Sequence, residues 1–332
     1  MAGKNRAMKK FLKVLGLIIV LGAGVFMFGS RPDISQNVTF NPQVLPADLA
    51  QLDTYVANNE KAYSDIRPGN EKRLIWANPL DRKQTNIAFV YIHGFSASPV
   101  ETAPLTENLA RSWGANAFMT RLSGHGRTGE ALAEPDMSDW LNDVSEAIEI
   151  GSRLGKKVIL LSGSTGGTLS TWAATRPELS SKIAGMAMIS PNYALMAAST
   201  TMLNMPWSET LLPMIFGQTR TFEPGNDLHA NGWTHSYPSK AIFPMAALLR
   251  VVDAIDYSTI KTPALFIYSD DDSVVSPERT SEVIAKWGAP TEVFKVSDST
   301  DPNHHVLAGD ALSPNTTGEV AMAISNWLRN LK

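Results

Sequence analysis

From residue 73 onward, short and nearly continuous apolar runs recur: NIAFVYI (Asn86–Ile92), KVILLS (Lys157–Ser162), GMAMIS (Gly185–Ser190), ALFIYS (Ala264–Ser269) and TEVFKV (Thr291–Val296). A strand with one wet face alternates polar and apolar residues, whereas a strand covered on both faces does not have to. Runs of this kind therefore predict strands inside a parallel sheet. RLIWA (Arg73–Ala77) and NAFMTRL (Asn116–Leu122) read as further strands. Helical segments lie between them. Met137 to Leu154 has apolar residues near helical spacing with Gly155 just past its end, and Pro104 to Trp113 reads as a helix stopped by Gly114. Alternating strands and helices predict an α/β architecture, a mostly parallel doubly wound sheet. Ligands in such sheets bind beyond the C-terminal strand ends.

Two regions break the rhythm. Between Ser190 and Pro263 the chain is rich in Met, Pro and Trp, with helical patches such as AIFPMAALLRVVDAI, and is expected to form a helical cap at about 191–262 inserted over that sheet edge. The other region is the N-terminus. Lys4, Arg6, Lys9, Lys10 and Lys13 precede an uncharged apolar stretch from Val14 to Phe28, and the first acid is Asp33. Counted from Phe11, the stretch spans ~27 Å as a helix, close to the ~30 Å bilayer core. The basic flank predicts a cytoplasmic N-terminus with the body exported. Residues 1–30 thus read as a membrane anchor through 11–28, or as a cleaved signal peptide, for which Gly22-Ala23-Gly24 is a weak cleavage site. Residues 31–70 read as linker and extension, and 71–332 as the main domain.

Composition narrows the function classes. The body from Arg31 carries 24 basic against 32 acidic residues, so no basic footprint for nucleic acid exists. With no cysteine, disulfides, thiolate metal sites and a cysteine nucleophile are excluded. The histidines are scattered without metal-ligand spacing, and no metal or cofactor is expected.

Ser162-Gly163-Ser164-Thr165-Gly166-Gly167 follows the KVILLS strand and opens the helical pattern TLSTWAATR. A hydroxyl nucleophile between strand and helix needs small residues two positions to either side. Ser164 has Ser162 and Gly166 there, a small departure from Gly at both. Thr165, flanked by Gly163 and Gly167, fits the spacing better, but a β-branched residue at positive φ is costly. A nucleophile on such a turn takes oxyanion donors from the next residue's backbone N–H and from the loop after an earlier strand, here Thr165 and Phe95 of His93-Gly94-Phe95. His93 reads as a structural residue of that loop. Asp270, Asp271 and Asp272 lie past ALFIYS, and His304 and His305 lie past TEVFKV.

YIHGFSASP, RLSGHGR (Arg121–Arg127), DWLNDVSEAIE, LLSGSTGGTLS, PALFIYSDDDSVVSP and HHVLAGD, in that order over roughly residues 70 to 330, resemble the α/β-hydrolase superfamily and its bacterial carboxylesterase and monoacylglycerol-lipase-like branch. The resemblance implies the α/β-hydrolase fold. It implies Asp272 as catalytic acid, because SVVSP follows it, and His305 as base, because Val306 and Leu307 follow it. It implies a structural role for His125 in SGHG. A serine hydrolase with the triad Ser164, Asp272 and His305 is then expected, cleaving a small-molecule carboxylic ester of short to medium acyl chain through an acyl-enzyme. The same triad would serve a thioesterase, amidase, peptidase or acyltransferase, and a non-catalytic tethered binding protein is the reading of another class. The cap's Met196, Met202, Met205, Trp207, Met214, Phe216 and Trp233 are expected to include the lining of an acyl pocket.

Overall fold

A computed structural model of the chain describes residues 2–197 and 200–331, with the backbone alone for 2–7. Seven strands form one sheet: β1 (Arg73–Ile75), β2 (Thr85–Ile92), β3 (Asn116–Met119), β4 (Gly155–Gly163), β5 (Ile183–Ile189), β8 (Ala264–Tyr268) and β9 (Thr291–Lys295). Two more, β6 (Thr219–Thr221) and β7 (Ser236–Pro238), pair as a separate antiparallel ribbon. The sheet order is β1-β3-β2-β4-β5-β8-β9. Only β1 runs antiparallel; every other pairing is parallel. This is the doubly wound architecture that the uninterrupted apolar runs imply.

Apolar layers cover both faces. On one, Val90, Ile92, Val158 and Leu160 meet Trp140, Val144 and Ile148 of helix Met137–Leu154 and Leu169 and Trp172 of helix Thr165–Ala174. On the other, Phe89, Tyr91, Ile159 and Leu161 meet Leu105 and Leu109 of helix Leu105–Trp113 and Ile324 and Trp327 of helix Thr317–Asn330. Reversal of strand order beside β4 leaves a crevice beyond its C-terminal end.

TEVFKV departs from expectation. It is β9, the edge strand, and Glu292, Val293 and Lys295 are exposed. Its alternation with Lys and Glu suits an edge, where charge discourages further pairing. NAFMTRL is strand only as far as Met119, because Thr120 onward turns into the RLSGHGR loop.

The segment before β1 is packed rather than a free linker. Leu45, Leu52 and Val56 join the core, and Asn142 Oδ1 accepts the backbone N–H groups of Thr39 and Phe40 at 2.8 and 2.7 Å. Glu60, at the end of helix Leu52–Glu60, grips Arg121 through two hydrogen bonds of 2.8 Å. Arg121 also donates to the His125 carbonyl at 3.0 Å, so this buried pair shapes the RLSGHGR loop. Lys72 lies beside Asp143 and Glu146; burial works against its charge, but the two carboxylates outweigh that and raise its pKa.

A buried ion pair stripped of one partner leaves an uncompensated charge, worth about 3–5 kcal/mol. Arg121→Met should therefore lower the urea midpoint of the detergent-solubilised protein by that much free energy. Glu60→Met combined with Arg121→Met should recover most of the loss, since no lone charge remains.

Candidate active site

The turn between β4 and helix Thr165–Ala174 carries Ser164 at φ 47° and ψ −118°, a left-handed conformation that side chains avoid. Close packing compels it. Ser164 N–H donates to the Ile189 carbonyl at 2.9 Å, and its own carbonyl accepts the Asn192 N–H at 3.0 Å. A Cβ on Gly166 would sit 2.1 Å from the Ile92 carbonyl oxygen, so only glycine lets the helix start against the end of β2. Ser162 fills the other small-residue position and is fully buried, its Oγ without a hydrogen-bond partner among the described residues. The positive φ falls on Ser164, while Thr165 is the first helical residue and is buried. The alternative register, with Thr165 at the strained position, is therefore not the one adopted.

Asp272 and His305 come together from the loops after β8 and β9. Asp272 is buried; its Oδ1 accepts the Val274 and Val275 N–H groups at 2.8 and 3.0 Å, and its Oδ2 meets His305 Nδ1 at 2.8 Å. With Nδ1–H donating to Asp272, Nε2 is the nitrogen able to accept a proton. Asp270 instead pairs with Lys295 on the surface, and Asp271 is exposed. His304 takes the left-handed φ of 50° that turns the chain so that its neighbour His305 faces Asp272. Ser164 and His305 line one cavity of ≈ 430 Å³, together with Phe95, Thr165, Asn192, Trp233, Met245 and other residues.

The loop after β2 passes beside Ser164. A Cβ on Gly94 would lie 3.0 Å from the Ser164 Cβ and 2.7 Å from Glu101 Oε1. His93 holds this loop: its Nδ1 lies 2.8 Å from the Gly94 carbonyl, and its Nε2 accepts the Leu122 N–H at 3.0 Å. Burial drives the His93 pKa well below its ordinary value, and burial likewise lowers His125 to about 4, so both stay neutral.

Two carboxylates here carry no spacing signature in the sequence. Glu101 is buried; its Oε2 accepts the Tyr91 hydroxyl at 2.7 Å and the Gly94 N–H at 2.9 Å. It also lines the cavity shared by Ser164 and His305. Burial raises its pKa against those two hydrogen bonds and the charge of His305. Asp301 Oδ2 accepts the N–H groups of His305 at 3.0 Å and Val306 at 2.8 Å, folding the loop that presents the imidazole. A lone acid in a loop shows in sequence only as a polar residue; its burial is set by the tertiary fold.

The region between β5 and β8 holds helix Ser208–Phe216, helix Asp227–Gly232, the β6–β7 ribbon and helix Phe243–Asp253. Of the apolar residues expected to line an acyl pocket, Trp233 lines the Ser164 cavity, while Met202 and Phe216 line a second cavity of ≈ 180 Å³. Met196 and Met214 do not: they stand 55 % and 71 % exposed. Trp207 packs against Gly29 instead.

A parallel sheet with a strained serine on the turn after its central strand, and an Asp–His pair on the loops after its last two strands, defines the α/β-hydrolase class. The family model described as serine aminopeptidase, S33, matches residues 83–240. A thermostable monoacylglycerol lipase of Bacillus sp. (strain H-257) is 25 % identical over 204 residues, 61 % of this chain and 78 % of that protein. Among solved structures, a metagenome-derived lipolytic enzyme superposes with a TM-score of 0.63 at 20 % identity, over 80 % of this chain and 99 % of the other. The monoacylglycerol lipase of Paleococcus ferrophilus gives 0.56 at 17 %, over 79 % and 98 %. The chain has the α/β-hydrolase fold and is similar to lipases and esterases that share it.

Burial opposes the His305 imidazolium, but the hydrogen bond and charge of Asp272, then Glu101 and Asp301, outweigh it, and its pKa lies above the ordinary value. A histidine acting as base must be neutral, so activity should fall as pH drops through that raised value. Glu101→Gln keeps an oxygen for Tyr91 and Gly94 but removes one facing charge. The acid limb of kcat/KM should shift to lower pH, whereas Asp310→Asn, on an exposed residue, should leave it in place.

Proposed function

We propose that the protein is a membrane-tethered carboxylic-ester hydrolase acting through Ser164, His305 and Asp272. The observation that carries this reading is one cavity holding a strained, partly accessible serine and a histidine whose Nδ1 is fixed by a buried carboxylate. Ser164 Oγ attacks the ester carbonyl and His305 Nε2 takes its proton. Asp272 orients the ring and stabilises the imidazolium. The N–H groups of Phe95 and Thr165 hold the oxyanion; among the described residues neither has a hydrogen-bond partner. His305 returns the proton to the leaving alcohol, then activates the water that releases the acyl group. The Bacillus relative's activity supports the ester as the bond cleaved.

The cavity's size suits a small ester, and its walls at Phe95, Leu195, Trp233, Met245 and Leu312 favour an apolar acyl group. The second cavity shares Leu203, Arg220 and Ile242 with the first and extends the apolar path. Acyl chains of short to medium length fit this space. In this reading the apolar part of helix Ala2–Met27 tethers the domain to a membrane, and the basic residues in the first half of that helix favour a domain outside the cytoplasm.

Each methylene buried in the pocket contributes ~0.8 kcal/mol. On 4-nitrophenyl esters from acetate to palmitate, kcat/KM should climb with chain length, peak at short to medium chains and then fall. A steady rise through palmitate would contradict the chain-length limit. Hydrolysis of aminoacyl 4-nitroanilides with no ester turnover would favour the peptidase reading that the matching family model's description suggests.

A further inference from the structure

Asn192 stands in the wall of the cavity that holds Ser164 and is 1 % exposed. Both of its backbone groups are bonded: the N–H donates to the Ser164 carbonyl at 3.0 Å, and the carbonyl accepts the Thr168 hydroxyl. Its side chain is only half partnered. Nδ2 donates to the Met245 thioether at 3.5 Å, while Oδ1 has no hydrogen-bond partner among the described residues. Turning the amide over would set Oδ1 against a sulfur that has no hydrogen to give, so this orientation is the favoured one. Thr165, equally buried, lines the same cavity with its Oγ1 unpartnered among the described residues. A buried polar atom left without a partner is costly, and folded proteins keep few of them. Two in the wall beside a nucleophile mark a place where a ligand completes the bonding.

The bonding capacity of these atoms says what that ligand carries. Oδ1 only accepts, so the ligand must give it a hydrogen from O–H or N–H. An ester group has none, and neither has a plain alkyl chain. A hydroxyl suits the pair, giving its hydrogen to Asn192 Oδ1 and accepting that of Thr165 Oγ1. An ammonium would have to shed its water against Leu195 and Met245, which line the same cavity. The position follows from the neighbours. Met245 belongs to helix Phe243–Asp253, which continues from Ile242, where the Ser164 cavity meets the ≈ 180 Å³ cavity. Leu195, three residues past Asn192, packs with Leu203 and Phe243. The amide therefore lies on the side of Ser164 that leads to the second cavity, which is the acyl path. Because the Asn192 backbone bonds directly to Ser164, its short side chain serves acyl carbons next to the scissile carbonyl.

We propose that Asn192 Oδ1 determines specificity, and that the preferred substrate is an ester of a hydroxy acid, with the hydroxyl on the α or β carbon of an otherwise apolar acyl chain. The inference deepens the ester-hydrolase reading of Ser164 and rests on it. A hydroxylated acyl group satisfies both wall atoms. An unsubstituted one leaves Oδ1 buried and unpaired, and a site built around a substrate hydroxyl rejects the analogue that lacks it. Since the amide is held on one wall by Met245, one configuration at the hydroxyl-bearing carbon is favoured.

The test uses the full-length protein in detergent with ethyl octanoate, ethyl 2-hydroxyoctanoate and the two enantiomers of ethyl 3-hydroxyoctanoate, acid release being followed by pH-stat. One hydroxylated ester should exceed ethyl octanoate in kcat/KM by about tenfold or more. Asn192→Leu keeps the side-chain volume and removes the acceptor, so that ratio should fall to near unity, whichever way the absolute rates move. Should circular dichroism show that Asn192→Leu does not fold, Asn192→Ala is read in the same way. Calorimetric titration of Ser164→Ala with the same esters should show the same preference in Kd, lost when the Asn192 substitution is added. Equal kcat/KM for all the esters, or a higher value for ethyl octanoate, overturns the proposal. A preference that survives the Asn192 substitution places the acceptor elsewhere and overturns it too. A hydroxy-ester preference in Kd on Ser164→Ala, with no ester turned over by the parent, supports recognition by Asn192 and overturns the ester-hydrolase reading instead.

Discussion

Ser164 sits at φ 47° on a turn that a non-glycine residue adopts only under duress, at a cost of about 1–3 kcal/mol. The surroundings offset that cost. β5 takes the Ser164 N–H, Asn192 takes its carbonyl, and Gly166 lets the following helix start against β2. Because the turn stands at the end of the central strand, β4, it sets where every other group must be. The β2 loop has to be glycine at 94 to pass beside it, and the loops after β8 and β9 have to bring Asp272 and His305 to the same edge. The parallel sheet supplies that common edge, since all its strands but β1 end there.

Support for the site is layered in polar groups that stay buried. His93 ties the Gly94 loop to Leu122, Arg121 ties the Leu122 loop to Glu60, and Glu60 belongs to the extension before β1. Residues far apart in sequence thus hold the backbone that faces Ser164. Glu101 adds a second carboxylate whose charge favours the His305 imidazolium, and Asp301 pins the loop on which the imidazole sits. Fully partnered groups of this kind rigidify a site, because leaving any of them unpaired in a low-dielectric interior is costly.

Much of this was legible from the residues because it depends on periodicity and local turn chemistry. Uninterrupted apolar runs announce strands covered on both faces, and the small residues around Ser164 announce a tight strand–helix turn. The orderly arrival of Asp272 and His305 after successive strands announces which edge is used. What escaped depends on tertiary placement. TEVFKV reads as apolar, yet as edge strand β9 it pairs on one side only and leaves Glu292, Val293 and Lys295 exposed. Met196, Met214 and Trp207 read as pocket lining, yet a helical stretch rich in apolar residues does not say which of them turns inward. Glu101 and Asp301 look like any solvated acids until the fold buries Glu101 against Tyr91 and folds the His305 loop around Asp301. The extension before β1 reads as linker because its anchors, Asn142 and Arg121, lie some 60 to 100 residues away.

Catalysis by this site requires that the strained Ser164 be a nucleophile activated by His305, which lines the same cavity. Labelling of the full-length protein with a fluorophosphonate, followed by peptide mapping by mass spectrometry, addresses it directly. One modification is expected, on Ser164, that disappears in Ser164→Ala and slows by orders of magnitude in His305→Ala, while Thr165→Ala still reacts. Modification of Thr165, or the absence of any adduct on a folded protein, would contradict it.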